Sequence, residues 1–293
     1  MELRLLVTFE RVATLLSFTR AAAELTYSQS SVTGQVRSLE TSLDVALFDR
    51  LGSHIRLTEA GERLLPYARR MIELAEEARA AVGPAEQPAG TLVVGTMESL
   101  SSYLLPPLVE LFRHRYPKVR LSLRTTIGDE TRQALRQGTY DLGFLMEEET
   151  EHSGLEGVVL GEERLVLVAA PGHALADGRV ATVELVRQTL LAPEPGCAYR
   201  DLFERELTAV GPVEFTEFGT LEATKRAAAA GLGISLLPEV TVAAELAEGS
   251  LVVLAWEPPF TLRTQLAWRA GKRLSAQARL LVEQARRLTA ERG

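Results

Sequence analysis

The 293-residue sequence has a single cysteine, Cys197, and no apolar run of 18 residues. A lone cysteine excludes an internal disulfide and is typical of cytoplasmic proteins. A transmembrane helix needs a longer apolar run than any found here. The first sixteen residues include two glutamates and two arginines and have no cleavage site, so they do not resemble a signal peptide. We therefore expect a cytoplasmic protein without a membrane partner.

The common enzyme motifs are also missing. The sequence has no Gly-x-Ser-x-Gly, no pair of histidines at metal-binding spacing and no cysteine–histidine dyad. The segment VGTMESLSS after the strand at 91–96 lacks the dinucleotide fingerprint and the P-loop lysine. The histidines lie scattered in polar segments, which predicts surface positions: His54, His114, His152 and His173. We therefore expect no enzyme activity, no catalytic residues, no metal and no cofactor.

The charge balance argues against general affinity for nucleic acid. The formal net charge is −7, and residues 1–58 contain six arginines and six acidic residues. Non-specific DNA affinity comes from neutralising phosphates, so a neutral domain binds DNA weakly as a monomer. Specific binding would require a dimer and well-placed arginines.

Residues 21–43 have the pattern of two helices joined by a short turn at Thr26 and Tyr27. Ser28 is a good N-cap for the second helix, because its hydroxyl can accept a free backbone N–H. One face of that helix is apolar at helical spacing, and its members are Val32, Val36, Leu39 and Leu43.

The opposite face has small hydroxyl and amide side chains with one arginine. Such a face suits a helix that enters the major groove, because it has little bulk and offers donors and acceptors to base edges. It would equally suit an ordinary solvated helix, and these residues alone do not decide between the two. The candidate DNA-contacting residues here are Ser28, Gln29, Ser30, Thr33, Gly34 and Arg37.

The segment 18–61 resembles the winged helix-turn-helix of LysR-type transcriptional regulators. The resemblance rests on SFTRAAAEL, YSQSSVTGQVRSLE and LFDRLGSHIRLTEAG, in the order and spacing of that family. It continues through TLVVGTMESLSSYLLPPLVELFRHRYP, YDLGF and LEATKRAAAAGLGISLLP. It implies a dimeric DNA-binding domain followed by a two-lobed effector domain similar to periplasmic binding proteins. It also implies a homodimer or homotetramer that binds double-stranded promoter DNA and contacts RNA polymerase.

Two features depart from the family pattern. The family often has proline after the helical glutamine and an arginine two turns into the helix, whereas this chain has Ser30 and Thr33-Gly34. We expect Gly34 to allow a close approach to the DNA backbone, although glycine costs about 1 kcal/mol of helix stability relative to alanine.

Residues 49–57 predict a two-stranded wing whose cations are Arg50, His54 and Arg56. The family more often has basic residues at the tip of the wing, where this chain has Ser53 and His54.

A long helix is predicted after the wing, with Thr58 as its cap. Its small and apolar residues recur at alternating steps of three and four, which is a heptad seam. They are Gly61, Leu64, Ala68, Met71, Ala75, Ala78 and Val82. The seam favours a dimer helix, and the alternative is a helix packed on its own domain. Residues 83–90, GPAEQPAG, indicate a linker. The predicted domains are 1–58, 59–90 and 91–293.

The remaining chain alternates strands and helices, which predicts a parallel, open α/β architecture. Ligands of such folds lie beyond the carboxyl ends of strands, at helix N-termini. The turn at 96–102 follows the first strand and is rich in hydroxyl groups, and the resemblance favours Ser99 of this turn as an effector contact. The alternative is that these hydroxyl groups are ordinary helix caps. The candidate effector-binding residues are Thr96, Ser99, Ser101, Ser102, Thr126, Arg200 and Thr220.

Two of the charged residues point to opposite ligands. Arg200 could bind a ligand carboxylate or be a surface arginine. Glu98 would repel a carboxylate if it points into the cleft. The predicted function is a LysR-type regulator controlled by a small molecule. The alternatives are a two-lobed cytoplasmic binding protein or enzyme, and a helix-turn-helix that contacts only proteins.

Overall fold

The computed structural model of the chain describes residues 2–51, 54–82, 88–193 and 195–290. Among these, the side chains at positions 50, 51, 54, 76, 77 and 79–82 are not described. The chain forms two compact units, residues 1–87 with 137–139 and residues 88–136 with 140–293. The finer division at residues 58 and 90 stays a prediction.

The first unit contains four helices and a two-stranded sheet among its described residues. Their bounds are α1 Leu3–Leu15, α2 Phe18–Leu25, α3 Gln29–Leu43, β1 Phe48–Leu51, β2 His54–Leu57 and α4 Glu59–Val82. The strands β1 and β2 are antiparallel, as predicted for the wing, with Phe48 opposite Leu57. Ser28 caps α3 by accepting the N–H of Ser31 at 3.1 Å, which confirms the predicted helix start.

Aromatic and branched side chains hold the three helices and the wing together. Val32, Val36 and Leu39 of α3 are fully buried, whereas Leu43 is 37 % exposed. The predicted apolar face is therefore wrong only at Leu43, in the last turn of the helix. Phe48 packs against Phe9 and Phe18 with ring centroids 5.5 and 5.8 Å apart, which anchors β1 to α1 and α2.

The predicted seam of α4 needs a correction. Gly61 and Ala68 are buried, and Leu64 and Met71 pack on the core of the first unit. These four residues contact their own domain, because α1 packs against α4 and Gly61 lies against Leu47 and Leu57. Among the described side chains of α4, the large apolar ones that are exposed are Tyr67 at 64 % and Leu74 at 63 %, on another face of the helix, and the side chain of Val82 lies outside the described part.

The second unit alternates strands and helices. In chain order its elements are β3 Gly90–Thr96, α5 Glu98–Tyr103, α6 Pro106–Arg115, β4 Val119–Thr125, α7 Gly128–Arg136, β5 Leu142–Glu147, β6 Leu155–Glu163, β7 Leu165–Ala169, α8 Thr182–Leu185, β8 Leu190–Ala192, α9 Ala198–Thr208, β9 Phe215–Glu217, α10 Leu221–Ala229, β10 Ser235–Pro238, α11 Glu239–Glu248, β11 Val252–Leu254, β12 Leu262–Arg269 and α12 Ala276–Ala290. The sequence predicts one helix from Ser101 to Arg115, but this segment contains the end of α5 and all of α6, because Pro106 starts α6 and cannot continue α5.

The strands form two lobes. The first lobe has a five-stranded sheet in the order β4-β3-β5-β12-β6. The second has β10-β7-β11 and the pair β8-β9, and a single bridge between Leu190 and Ile234 joins β8 to the start of β10. The chain crosses between the lobes after β6 and returns before β12.

The prediction of parallel sheets is only partly right. The pairs β3–β4, β3–β5 and β8–β9 are parallel. By contrast, β12 is antiparallel to β5 and β6, and β7 is antiparallel to β10 and β11. The sheet of the first lobe is mixed because β12 enters it from the second lobe, against the direction of the strands beside it. This crossing is also what produces two lobes.

No helix in the described part of the chain is both long enough and apolar enough to cross a membrane.

Candidate functional site

The predicted DNA-contacting face of α3 lies at the surface of the first unit. Ser28, Gln29, Ser30, Gly34 and Arg37 are exposed, and Thr33 is half-buried. All six therefore share one accessible face, opposite the buried residues of the helix. The face projects no apolar side chain larger than the threonine methyl group, which suits entry into a groove.

Internal hydrogen bonds define the start of this face. The Ser28 hydroxyl is used for capping and also lies 3.0 Å from the Ser30 hydroxyl. The Thr19 hydroxyl donates to Gln29 Oε1 at 3.3 Å, which ties the first turn of α2 to the tip of α3. Ser28 thus holds the helix start, while Gln29 retains its amide N–H groups for an external acceptor.

The arginines of the first unit differ in how far their charge is neutralised. Arg4, Arg11 and Arg56 pair with Glu2, Glu24 and Asp49 at 3.4, 3.2 and 3.0 Å. Arg20 and Arg37 are exposed and form no ion pair with any residue that the structure describes. The free positive charge among the described side chains of residues 2–58 is thus concentrated on α2 and α3.

Arg20 is a candidate that the sequence reasoning missed. It lies beside Thr19 in the first turn of α2, next to the tip of α3. No signal in the sequence pointed to it, because Glu24 lies one helical turn after Arg20 and would be its expected partner, whereas the structure pairs Glu24 with Arg11. The predicted wing cations are less informative, because Arg56 is paired with Asp49 and the side chains of Arg50 and His54 lie outside the described part.

Gly34 has room around it. A Cβ placed there meets no atom within 4 Å, so glycine is not required by packing inside the unit. By contrast, a Cβ at Gly61 would collide with the backbone oxygen of Leu47.

The second unit contains a cavity of about 990 Å³ between its two lobes. Ser99, Thr126 and Thr220 line it, as predicted. The Thr126 hydroxyl lies 2.7 Å from that of Thr131, and the Thr220 hydroxyl caps α10 by accepting the N–H of Ala223 at 3.2 Å. This volume is at the upper end of that usual for small-molecule sites.

Three other predicted residues are not among the described residues that line the cavity. Thr96 is fully buried, and its hydroxyl lies 3.4 Å from the carbonyl oxygen of Met97. Ser101 donates to the carbonyl oxygen of Glu98 at 3.0 Å, and Ser102 is exposed elsewhere on α5. The helical turn places only Ser99 of the three serines on the cavity side.

The geometry of Arg200 does not support a ligand role. Its side chain is 6 % exposed, so it is not a surface arginine either. Nη1 donates to the carbonyl oxygen of Pro193 at 2.7 Å, and Nη2 pairs with Glu217 at 2.6 Å. The guanidinium also lies over the ring of Phe215 at 5.6 Å. Arg200 therefore packs inside the second lobe, where Glu217 neutralises its charge.

A contact across the lobes was not foreseen from the sequence. Glu98 lines the cavity, and its carboxylate accepts the N–H of Leu221 at 3.0 Å, at the N-terminus of α10. One turn further along α10, Lys225 donates to the Tyr103 hydroxyl at 2.9 Å. Both ends of α5 in the first lobe are thus bonded to α10 in the second.

Cys197 and His152 also belong to the cavity wall. Cys197 lines the cavity, and burial raises the pKa of its thiol to about 12. The thiol is therefore a poor nucleophile at neutral pH. The prediction that His152 is a surface residue is wrong, since its side chain is 8 % exposed. The loop after β5 folds it against Glu147.

Comparisons with known protein families agree with this arrangement. Residues 3–62 match the family described as bacterial regulatory helix-turn-helix protein, lysR family, and residues 85–290 match the LysR substrate binding domain. The chain is 38 % identical over 291 residues to the HTH-type transcriptional regulator YwqM of Bacillus subtilis, covering 98 % of this chain and 99 % of that one. It is 35 % identical to the regulator GltR of Bacillus subtilis, covering 86 % and 84 %.

Solved structures give the same result. A full-length cysteine-to-aspartate variant of OxyR from Pseudomonas aeruginosa superposes with a TM-score of 0.82 at 26 % identity, covering 98 % of this chain and 95 % of that one. Full-length OxyR from Corynebacterium glutamicum, also a cysteine mutant, superposes with a TM-score of 0.62 at 26 % identity, covering 100 % and 96 %. The chain, with its helix-turn-helix domain and its two-lobed substrate-binding domain, belongs to the LysR-type transcriptional regulators.

Proposed function

We propose that this regulator binds operator DNA through the exposed face of α3, and that a small molecule in the cavity of the second unit modulates that binding. The observation that carries the DNA-binding part is the accessible row Gln29, Ser30, Thr33 and Arg37, with unpaired positive charge at its side. Wing contacts through Arg50, His54 and Arg56 belong to the same proposal, as does a phosphate contact by Arg20.

The protein acts as a homo-oligomer in this proposal. A neutral helix-turn-helix domain gains little from phosphate neutralisation, so two copies are needed for specific binding at physiological salt. The exposed Tyr67 and Leu74 on α4 support a contact with a second copy. A homotetramer, a contact with RNA polymerase and a cytoplasmic location complete the proposal on the strength of the family.

The DNA-binding part is tested by measuring binding of Arg37→Ala and Thr33→Ala to the DNA beside the protein's own gene. We expect Arg37→Ala to weaken specific binding by about 1–3 kcal/mol if the arginine contacts a base, with relaxed specificity at that position. If it contacts a phosphate, binding weakens on all sequences and the salt dependence falls by about one unit.

The matched control is Arg4→Ala, because Arg4 is also exposed in the same unit but is paired with Glu2 at the start of α1. This variant should bind as the wild type does. If Arg37→Ala and Thr33→Ala both bind every fragment as the wild type and the control do, α3 does not touch DNA. The helix-turn-helix would then serve protein contacts instead.

The effector part is tested by a thermal-shift screen of metabolites on the full chain. A ligand that binds only the folded form raises the melting temperature. At a ligand concentration of one hundred times its Kd, it adds about 2.7 kcal/mol to the free energy of unfolding. Ser99→Val and Thr126→Val should reduce the shift for any effector that uses these hydroxyls. A ligand whose shift is unchanged by both variants does not occupy the cavity.

A further inference from the structure

The charged groups around the cavity are mostly negative. Eight of the described residues that line it are acidic, whereas two are arginines and one is a histidine. The segment Glu147–Glu151 supplies four of the acids, α7 supplies Asp129 and Glu130, and the others are Glu98 and Asp201. An anionic ligand would therefore enter a repulsive field, whereas a cation would be attracted.

The arginines of the cavity are already engaged. Arg132 forms ion pairs with both Glu147 and Asp129, so its charge is neutralised by two carboxylates. Arg136 is exposed at the rim, and its Nε donates to the carbonyl oxygen of Ser153 at 2.9 Å. Neither arginine is placed to hold a ligand carboxylate in the interior of the cavity.

The helix N-termini that face the cavity carry carboxylates of the chain itself. Helix N-termini usually attract anionic ligands, because free N–H groups and the helix dipole point at them. Here the Glu98 carboxylate accepts the N–H of Leu221 at the start of α10. Asp201, in the first turn of α9, accepts the N–H of Gly196 at 3.3 Å. A ligand carboxylate would have to displace these groups.

His152 supplies an independent sign of a ligand at this wall. Its side chain is 8 % exposed, and its Nε2 is buried without a hydrogen-bond partner among the described residues. Nε2 lies 3.4 Å from Glu147 Oε2. Buried polar atoms normally have partners, and a ligand N–H group that donates to the Glu147 carboxylate and to an unprotonated Nε2 would supply the missing one.

We propose that the effector of this regulator is an organic cation with at least one protonated amine, held by the acidic wall of the cavity. This inference rests on the proposed function, in which the cavity is the effector site. Glu149 and Glu151 are exposed on this wall and pair with no described cation, so they are free to receive the ammonium group.

The test compares diamines with dicarboxylates of the same chain length on the full chain at constant ionic strength. The probes are 1,4-diaminobutane, 1,5-diaminopentane and 1,6-diaminohexane against succinate, glutarate and adipate, with magnesium chloride as the inorganic cation. We expect at least one diamine to raise the melting temperature and the dicarboxylates and magnesium to leave it unchanged.

The double variant Glu149→Gln/Glu151→Gln should weaken diamine binding about fivefold or more, because it removes two charges and keeps the shape. The control Glu110→Gln/Glu214→Gln removes two exposed acids that do not line the cavity, and it should bind diamines as the wild type does. Equal loss in both double variants would mean non-specific attraction to an acidic protein, which contradicts the proposal.

Other outcomes overturn the proposal and leave the effector site standing. If a dicarboxylate stabilises the chain and Ser99→Val abolishes that shift, the cavity is the effector site but its ligand is an anion. A shift with magnesium equal to that with the diamines would replace the organic cation with a metal. Absence of a shift in melting temperature with every diamine also overturns the amine proposal. The DNA-binding proposal is tested by a separate measurement and does not depend on this result.

Discussion

Lys225 shows at the scale of one residue how charge is accommodated inside this fold. Its side chain is 5 % exposed and pairs with Glu245 at 2.6 Å and with Glu222 at 3.3 Å. Burial lowers the pKa of Lys225, but the hydrogen bonds with Glu245 and Tyr103 outweigh it and raise the pKa above its ordinary value. The ammonium group therefore stays charged in the folded protein.

We predict that Lys225→Met lowers the free energy of unfolding by about 3 kcal/mol, because it leaves the Glu245 carboxylate without its cation. The measurement is chemical denaturation of the full chain followed by circular dichroism. The control is Arg226→Met, since the neighbouring Arg226 is 80 % exposed and should contribute about 0.5 kcal/mol at most.

The difference in unfolding free energy between the wild type and Lys225→Met depends on pH in a defined direction. A raised lysine pKa means that the stabilisation is full below the unfolded-state pKa of about 10.4 and is lost only as pH rises above it. Hydrogen bonds from Arg226 and Lys225 lower the pKa of Glu222, so its contribution is lost as pH falls below about 4.3. The gap between wild type and Lys225→Met should stay constant from pH 6 to 9, and a change within this range would contradict the assignment.

At the same scale, Cys197 should be chemically inert in the folded protein. With a thiol pKa of about 12, the thiolate fraction at pH 8 is about one in ten thousand. We predict that alkylation by iodoacetamide at pH 8 is at least about a hundredfold slower in the native chain than in urea. The unfolded chain is the control, because the sequence has no second cysteine. Comparable rates would show that the thiol is accessible and ionised.

At the scale of an element, α3 combines features that were predicted from sequence with one that needed the structure. The cap at Ser28 and the buried row Val32, Val36 and Leu39 follow from hydrogen bonding and helical spacing. The free space around Gly34 does not follow from them, because it depends on which elements lie opposite that face.

We predict that Gly34→Ala stabilises the first unit by about 0.5–1 kcal/mol, since alanine is the better helix former and its Cβ meets nothing. If DNA approaches closely at this point, the same variant and Gly34→Arg should change operator affinity or sequence preference. Thermal unfolding gives the first quantity and a mobility-shift titration the second. Unchanged affinity for both variants on all operators would exclude a contact at position 34.

The control for this prediction is Gly61→Ala, because a Cβ there collides with the backbone of Leu47. That variant should lose stability. A loss in Gly34→Ala of the same size would mean that α3 is packed differently from the described structure.

At the scale of the whole molecule, the exposed face of α4 is the region that a second copy would cover. We predict that Tyr67→Glu/Leu74→Glu breaks the proposed homodimer, so that sedimentation velocity finds a monomer, and lowers operator affinity, because it places two charges in an apolar contact. The control is Val210→Glu, which charges an exposed apolar residue of the second unit. A double variant that remains dimeric would mean that the copies associate elsewhere.

The sequence alone was sufficient for local features and for the family. Helical spacing predicted the two helices and the turn of residues 21–43, a single residue predicted the cap at Ser28, and the alternation of strands and helices predicted the α/β class of the second unit. Such features depend on backbone hydrogen bonds and on neighbours within a few positions, so the order of residues contains them.

Only the tertiary structure decided which side chains meet. It packed Gly61, Leu64, Ala68 and Met71 on their own domain, buried Arg200 beside Glu217, and joined Glu98 to Leu221. It also reversed β12 relative to β5, which no local pattern encodes. These outcomes depend on residues far apart in sequence, whose contacts are set by packing and by desolvation of charges after the chain has crossed between the lobes.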